Sequence, residues 1–238
     1  PTTLKFNNAN INKNLITKIF NNQSVLLFRN FNFNEKNIFS FANKFTHSYA
    51  PDAPRRNSKF NNNKIKSVDI GNNEIELHSE GSFTSVWPEI IWFYCKFPPR
   101  KSGFTLLCDG SKLWESLSQP SKEFFLFNEL IYDVEIPFKK NPKIKNLQKW
   151  YLNSLGSGDC YIDWQKGLIK YKQKRYAVMY DKKFDKFFFT NHLLLNLKQE
   201  PQLKSIKYSK TKTIPKKIID EIILKSEDYK FNFMMKKN

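Results

Sequence analysis

The chain has 238 residues, 40 Lys+Arg against 22 Asp+Glu for a formal net charge of +18, and 40% apolar residues, enough for one domain of ordinary to large size with a real core. A wholly disordered chain is excluded on that composition. Three cysteines exclude a disulfide scaffold and suit a reducing cytoplasm, seven glycines argue against Gly-rich phosphate loops, and no apolar run approaches the ~20 residues of a spanning helix.

In chain order, residues 10–22 place Ile11, Leu15, Ile16 and Ile19 at helical spacing, with Asn10 or Asn12 as the cap. VLLFRNF (25–31) reads as a short buried strand, and 34–46 as a second helix with Ile38, Phe39, Ala42 and Phe45 on one face. The Pro/Asn/Arg-rich stretch 48–63 reads as a loop. Strands are expected at 64–70 and 74–80 across a Gly71-Asn72-Asn73 turn, and at 90–97, where the apolar run IIWFYCKF stops at Pro98-Pro99. FTLLC (104–108) is the next strand, followed by short helices at 111–118 and 120–129, with Pro120 suited to a first helical position. IYDVEI (131–136) reads as a strand ended by Pro137, and 141–155 as a basic helical excursion. Further strands are expected at 159–164, 168–172, 175–180 and 185–190, an amphipathic helix at 214–226, and a strand starting at 231–235. Many short strands, few helices and no βαβ alternation give a mainly β protein with flanking helices. No internal boundary shows, so residues 1–238 read as a single domain with N-terminal helices and an insertion at 138–158.

The lysines gather at 139–149, 166–175 and 204–217. A solvated basic face accounts for them, and an acidic protein partner is the next reading. Nucleic acid is not expected, because the runs lack the interleaved aromatics of single-strand binders.

The chemistry concentrates around one of only three histidines. In Leu77-His78-Ser79-Glu80, strand alternation turns His78 and Glu80 to one face, an imidazole beside a carboxylate. That is two-thirds of the 2-His-1-carboxylate set that holds non-haem Fe(II). Cys95, Cys108 and Cys160 lack metal-ligand spacing and read as small structural residues.

The stretch 77–110 carries His78-Ser79-Glu80, Pro88 opening an apolar run with Cys95, then Pro98-Pro99, Ser102-Gly103-Phe104-Thr105 and Asp109-Gly110. In order and spacing it resembles the TauD/TfdA family of Fe(II)- and 2-oxoglutarate-dependent oxygenases, in the clavaminate-synthase-like branch where the carboxylate ligand is Glu. The resemblance implies a double-stranded β-helix (jelly-roll, cupin-like) core, with Fe(II), 2-oxoglutarate and O2 as cofactor and co-substrates. It implies that His78 and Glu80 bind the metal and catalyse, and that Thr105 hydrogen-bonds the distal carboxylate of 2-oxoglutarate. Asn191 and His192 would face the substrate, a small and amino-acid-derived molecule, free or presented by an acidic carrier protein, which is hydroxylated or desaturated in the cytoplasm with no membrane involved. The family draws its third ligand, a His, and a 2-oxoglutarate-clamping Arg from C-terminal strands. Here no His follows His192 and no Arg follows Arg175, so those strands are expected to be missing from the chain. A longer protein, a second chain, or a catalytically inactive jelly roll that binds a ligand or partner would each explain this. His192 falls where the family has a Phe-Asn element, which favours a pocket-lining role over the third ligand.

Overall fold

The computed structural model describes residues 12–29, 31, 33–34, 37–50, 58–59, 62–68, 74–84, 87–99, 103–137, 160–195, 202–209 and 211–235. The chain divides into two compact units, residues 1–71 with 90–104 and 234–238, and residues 72–89 with 105–233.

In the first unit, α1 (Lys13–Gln23) starts where Asn12 accepts hydrogen bonds from the main-chain N–H groups of Asn14 and Leu15, at 2.9 and 3.3 Å. It ends at Ser24, left-handed at φ 60°, and buries Ile16. Helix α2 (Asn37–Asn43) is shorter than the expected 34–46 and buries Phe41, which the expected face omitted. A small antiparallel pair forms here: β1 (Ser58–Lys59) lies within what reads as loop, and β2 (Asn62–Lys66) begins two residues before the strand expected at 64–70. The Gly71-Asn72-Asn73 turn and the 138–158 insertion lie outside the described residues.

Two expected strands do not form among the described residues of this unit. Residues 25–29 and 90–97 form no ladder among the described residues, and Val25, Leu27, Ile91, Phe93 and Phe97 are exposed. An apolar run reports burial, not pairing. Here the rings do the packing: Phe41 meets Phe28 at 5.3 Å, Phe33 at 4.7 Å, Phe45 at 5.3 Å and Trp92 at 5.7 Å between centroids.

The second unit carries the main core. Strand β3 (Phe104–Cys108) leads through Asp109 into α3 (Gly110–Ser116), then α4 (Gln119–Phe127) and β4 (Leu130–Pro137). Next come β5 (Cys160–Asp163), β6 (Leu168–Arg175), the hairpin β7 (Val178–Asp181) with β8 (Lys186–Phe189), then β9 (Leu203–Lys207), α5 (Lys216–Tyr229) and β10 (Lys230–Met234). A four-stranded sheet runs in the order β5-β6-β4-β9 with every neighbour antiparallel, and β3 pairs β10. Strand β9 is hidden in sequence, because LKSIK reads as part of a lysine run. It joins the sheet by pairing β4, with a register shift between Asp133 and Val134.

Alternation sorts β4 cleanly. Leu130, Tyr132, Val134 and Ile136 are buried, while Ile131, Asp133 and Glu135 face outward. Outward, Glu135 pairs with Lys170 at 2.9 Å and Asp133 with Lys207 at 3.7 Å, contacts that add little to stability. Inward, β4 joins Ile169, Tyr171 and Leu203 from the sheet with Leu113, Trp114, Phe125, Ile218 and Ile222 from the helices. The architecture is strand-rich with flanking helices, as a jelly roll requires, and its described strands do not close into a barrel. No helix among the described residues is long and apolar enough to cross a membrane.

Two devices join helices to this core. Asp109 caps α3, accepting from the N–H groups of Ser111 and Lys112 at 3.0 and 3.2 Å. At Gly110 a Cβ would stand 2.8 Å from the Phe189 carbonyl oxygen, so the Asp109-Gly110 step lets the helix start against β8. From α5, Glu221 reaches the start of α4, accepting from Ser118 N–H at 2.6 Å, from Ser118 Oγ at 2.9 Å, and from Ser121 Oγ. Partial burial raises the Glu221 pKa, but the hydrogen bonds from Ser121 and Ser118 outweigh it and the net shift is downward from 4.5. A depressed carboxylate contributes stability above its unfolded value and loses it as pH falls through the folded one. Glu221→Gln is therefore expected to destabilise the protein by about 1–2 kcal/mol at neutral pH, with the gap to wild type narrowing in acid. Equal denaturant midpoints at neutral pH would remove this interhelix cap.

Candidate functional site

Residues 74–79 join no β-ladder among the described residues, a departure from the strand expected at 74–80. The segment is instead pinned at its end, where Ser79 N–H donates to the Asn191 carbonyl at 2.9 Å. A turn over 80–83 follows, with Gly81 at φ 71° and Thr84 N–H closing onto the Gly81 carbonyl at 2.9 Å. Ser82 Oγ donates back to the Ser79 carbonyl at 2.7 Å. This turn, not a pleat, sets Glu80 beside His78, with Oε2 3.8 Å from Nε2.

The His78 ring is oriented by main chain. Its Nδ1 lies 2.8 Å from the Glu76 carbonyl oxygen, which only accepts, so Nδ1 carries the proton. Nε2 is then the nitrogen that faces Glu80. A backbone carbonyl fixing the tautomer from behind is the arrangement of a metal-binding imidazole.

The Ser79–Asn191 bond brings in the segment after β8. His192 is 2% exposed, and its ring stands 5.0 Å from that of His78 and 5.0 Å, edge-on, from Phe83. Its main-chain N–H donates to the Tyr132 hydroxyl at 3.4 Å. Burial, then the neighbouring His78 and Arg175 charges, pull its pKa down to about 3 against an opposing hydrogen bond to the Ser79 backbone. The ring is therefore neutral at physiological pH, and its buried Nδ1 has no hydrogen-bond partner. Asn191 is buried with its amide occupied by main chain, donating to the Ala177 carbonyl at 3.2 Å and accepting from Leu193 N–H at 3.1 Å. Its side chain builds the turn that presents His192.

These features coincide with a sequence match. The family model for the taurine catabolism dioxygenase TauD, TfdA family matches residues 2–212. The chain belongs to the TauD/TfdA family. Members of that family are Fe(II)- and 2-oxoglutarate-dependent dioxygenases. No curated protein matches the chain.

The residues present fit the TauD/TfdA metal. Donors bound to one first-row divalent ion at about 2.1 Å each lie at most ~4.2 Å apart, and the 3.8 Å between His78 and Glu80 satisfies this. Imidazole nitrogen and carboxylate oxygen suit Fe(II). No group of three His, Cys, Asp or Glu side chains able to hold a metal comes together among the described residues. Thr105 is half-buried on β3, its hydroxyl making no hydrogen bond with the described residues. The structure thus gathers His78, Glu80, Asn191 and His192, and holds Thr105 on a separate strand.

Sequence reasoning missed Arg175. Its Nη2 donates to the Thr84 carbonyl at 2.6 Å, and its guanidinium lies 3.6 Å over the Trp87 ring. A signal was available. In LIKYKQKR the lysines occupy one face of β6, and Arg175 is the cation on the other, in line with buried Ile169 and Tyr171.

Proposed function

We propose that this chain is an Fe(II)- and 2-oxoglutarate-dependent oxygenase in which His78 and Glu80 hold the metal. The observation that carries the reading is the tautomer lock, with His78 Nδ1 on the Glu76 carbonyl and Nε2 turned to Glu80. The bound metal would supply oxygen activation coupled to decarboxylation of 2-oxoglutarate. The protein's own part is to orient the imidazole through Nδ1, to place a carboxylate beside Nε2, and to wall the site with the neutral ring of His192 and with Phe83. Thr105 would donate to a carboxylate of 2-oxoglutarate. The substrate is a small amino-acid-derived molecule, in the manner of the clavaminate-synthase-like branch, hydroxylated or desaturated while free or on an acidic carrier protein.

The test is anaerobic titration of the full chain with Fe(II) and 2-oxoglutarate. A weak visible charge-transfer band is expected for wild type, and His78→Ala and Glu80→Ala should each weaken metal binding at least 100-fold with far-UV circular dichroism unchanged. Binding that is equal in all three proteins, or absent from all, would remove this reading. It would leave a second one, a jelly roll that binds a ligand or partner without oxidative chemistry. The observation favouring that reading is that only two metal donors face each other among the described residues.

A further inference from the structure

We propose that the first unit is a docking surface for an acidic protein, centred on the segment 90–97. The inference goes beyond the oxygenase reading and rests on it only for what the partner would carry, the bound form of the substrate.

The first argument is where the charge resides. The first unit holds 16 Lys+Arg against 3 Asp+Glu and so carries +13 of the chain's +18, while the larger second unit, with 24 against 19, carries +5. Bases make up about one residue in six in either unit, as a general excess of lysine would have it. The difference lies in the carboxylates, which fall from about one residue in eight to about one in thirty. Solvation alone gives no reason for that loss, because a well-wetted surface intersperses both signs. The three carboxylates of the first unit, Glu35, Asp52 and Asp69, lie outside the described residues, so no Asp or Glu belongs to the described part of this unit.

The second argument is an apolar face. Within 90–97 the side chains alternate. Trp92 turns inward, its ring 5.7 Å from Phe41 and 5.6 Å from Phe45, and the Tyr94 hydroxyl donates to the Phe33 carbonyl at 3.2 Å. Ile91, Phe93 and Phe97 are left outside, Phe93 at 56% and Phe97 at 81% exposure. Apolar side chains displayed in a row from a segment that is itself anchored by packed rings mark an interaction surface.

The third argument is that cations flank this face. Lys96 lies within the segment, its Nζ 5.3 Å from the centroid of the Phe97 ring. Lys44 is exposed and adjoins Phe45, the residue that packs on Trp92. Lys64 stands 4.2 Å over Tyr49, which stacks on Phe39 of α2. Apolar residues among cations match a partner that offers apolar side chains among carboxylates. A protein supplies both. A nucleic acid would use the rings and the cations, but an aliphatic side chain such as Ile91 has no face on which a base can stack.

The test uses the full chain as wild type and as three paired variants: Phe93→Ser/Phe97→Ser and Lys44→Glu/Lys96→Glu in the first unit, and Lys172→Glu/Lys174→Glu in the second. All four of these lysines are exposed. The probe is a short peptide in which Glu alternates with Leu and Phe. It is compared at low salt with oligoglutamate of the same charge, with single-stranded oligo-dT and with vesicles containing phosphatidylglycerol. Wild type should bind the mixed peptide about tenfold more tightly than oligoglutamate, and Phe93→Ser/Phe97→Ser should abolish that preference. Lys44→Glu/Lys96→Glu should weaken the mixed peptide about tenfold, and Lys172→Glu/Lys174→Glu, with the same change in net charge, by no more than about twofold. Equal binding of the two peptides by wild type, or equal losses in the two charge-reversed variants, would mean that net charge alone acts and would overturn the proposal. So would oligo-dT or vesicles binding wild type more tightly than the mixed peptide, or no binding of that peptide at all. The comparison of probes on wild type decides the matter even where a variant does not fold. Mn(II) binding by the same proteins keeps the two readings apart. If Mn(II) does not bind while the peptide preference depends on the first unit, the metal reading falls and the docking surface stands. If Mn(II) binds and the first-unit variants are indifferent to the peptide, the reverse holds.

Discussion

Phe125→Ala is expected to destabilise the protein by about 3–5 kcal/mol, measured as a drop in the denaturant midpoint with an unchanged slope. Phe125 is 0% exposed on α4, with its ring 5.1 Å from Phe189 and 5.2 Å from Phe124 between centroids. It lies in the cluster that packs β4 against α3 and α5, so the lost ring leaves a cavity that three elements would have to move to fill. The effect should reach the site indirectly. Phe189 ends β8, two residues before Asn191, so a collapse toward the cavity shifts the turn that carries His192. Phe125→Leu keeps most of the volume and should lose less than half as much. A Phe125→Ala midpoint within about 1 kcal/mol of wild type would mean the cluster is not the main core.

The metal-free protein is expected to lose stability steeply on acidification from pH 6.5 toward 3, with His192 as a principal cause. The folded-state pKa of His192 is about 3, against 6.5 for an unburied imidazole. Between these values the unfolded chain takes up a proton that the folded chain refuses. Each unit of pH then raises the unfolded population tenfold, on the order of 5 kcal/mol over the window. The sign is set by the depressed histidine: its contribution is intact above pH 6.5 and is lost as pH falls. His192→Gln removes the titrating ring, so the difference in stability between wild type and variant should change with pH across this window. Parallel stability curves for the two proteins would show that His192 is not held neutral by burial.

These two residues show what was legible beforehand. The strands of the second unit announce themselves by alternation, as β4 does, and α4 and α5 by helical spacing. Strand β9 does not, because lysines at its exposed positions mask two apolar residues. The expected strands at 25–31 and 90–97 failed for the opposite reason, since their apolar residues are satisfied by ring packing around Phe41 without a ladder. In the site, His78 and Glu80 could be paired from their spacing, although the structure pairs them through a turn at Gly81. The approach of His192 to His78 could not be read, because it depends on one backbone bond between residues 112 positions apart in the chain, Ser79 and Asn191. Arg175 was readable in principle, as the residue that breaks the lysine face of β6.

That bond and the hold on His78 share a property. Both use main-chain atoms as acceptor or donor: the Glu76 carbonyl for the imidazole, the Ser79 N–H and the Asn191 carbonyl for the junction. Exchanging the side chain at Glu76 or Ser79 leaves these contacts standing. The frame of the site is therefore insulated from the chemistry displayed on it. Drift or deliberate redesign at positions 76 and 79 can alter charge and shape around His78 without releasing it, which makes this short stretch a place where new specificity can be written onto an unchanged scaffold.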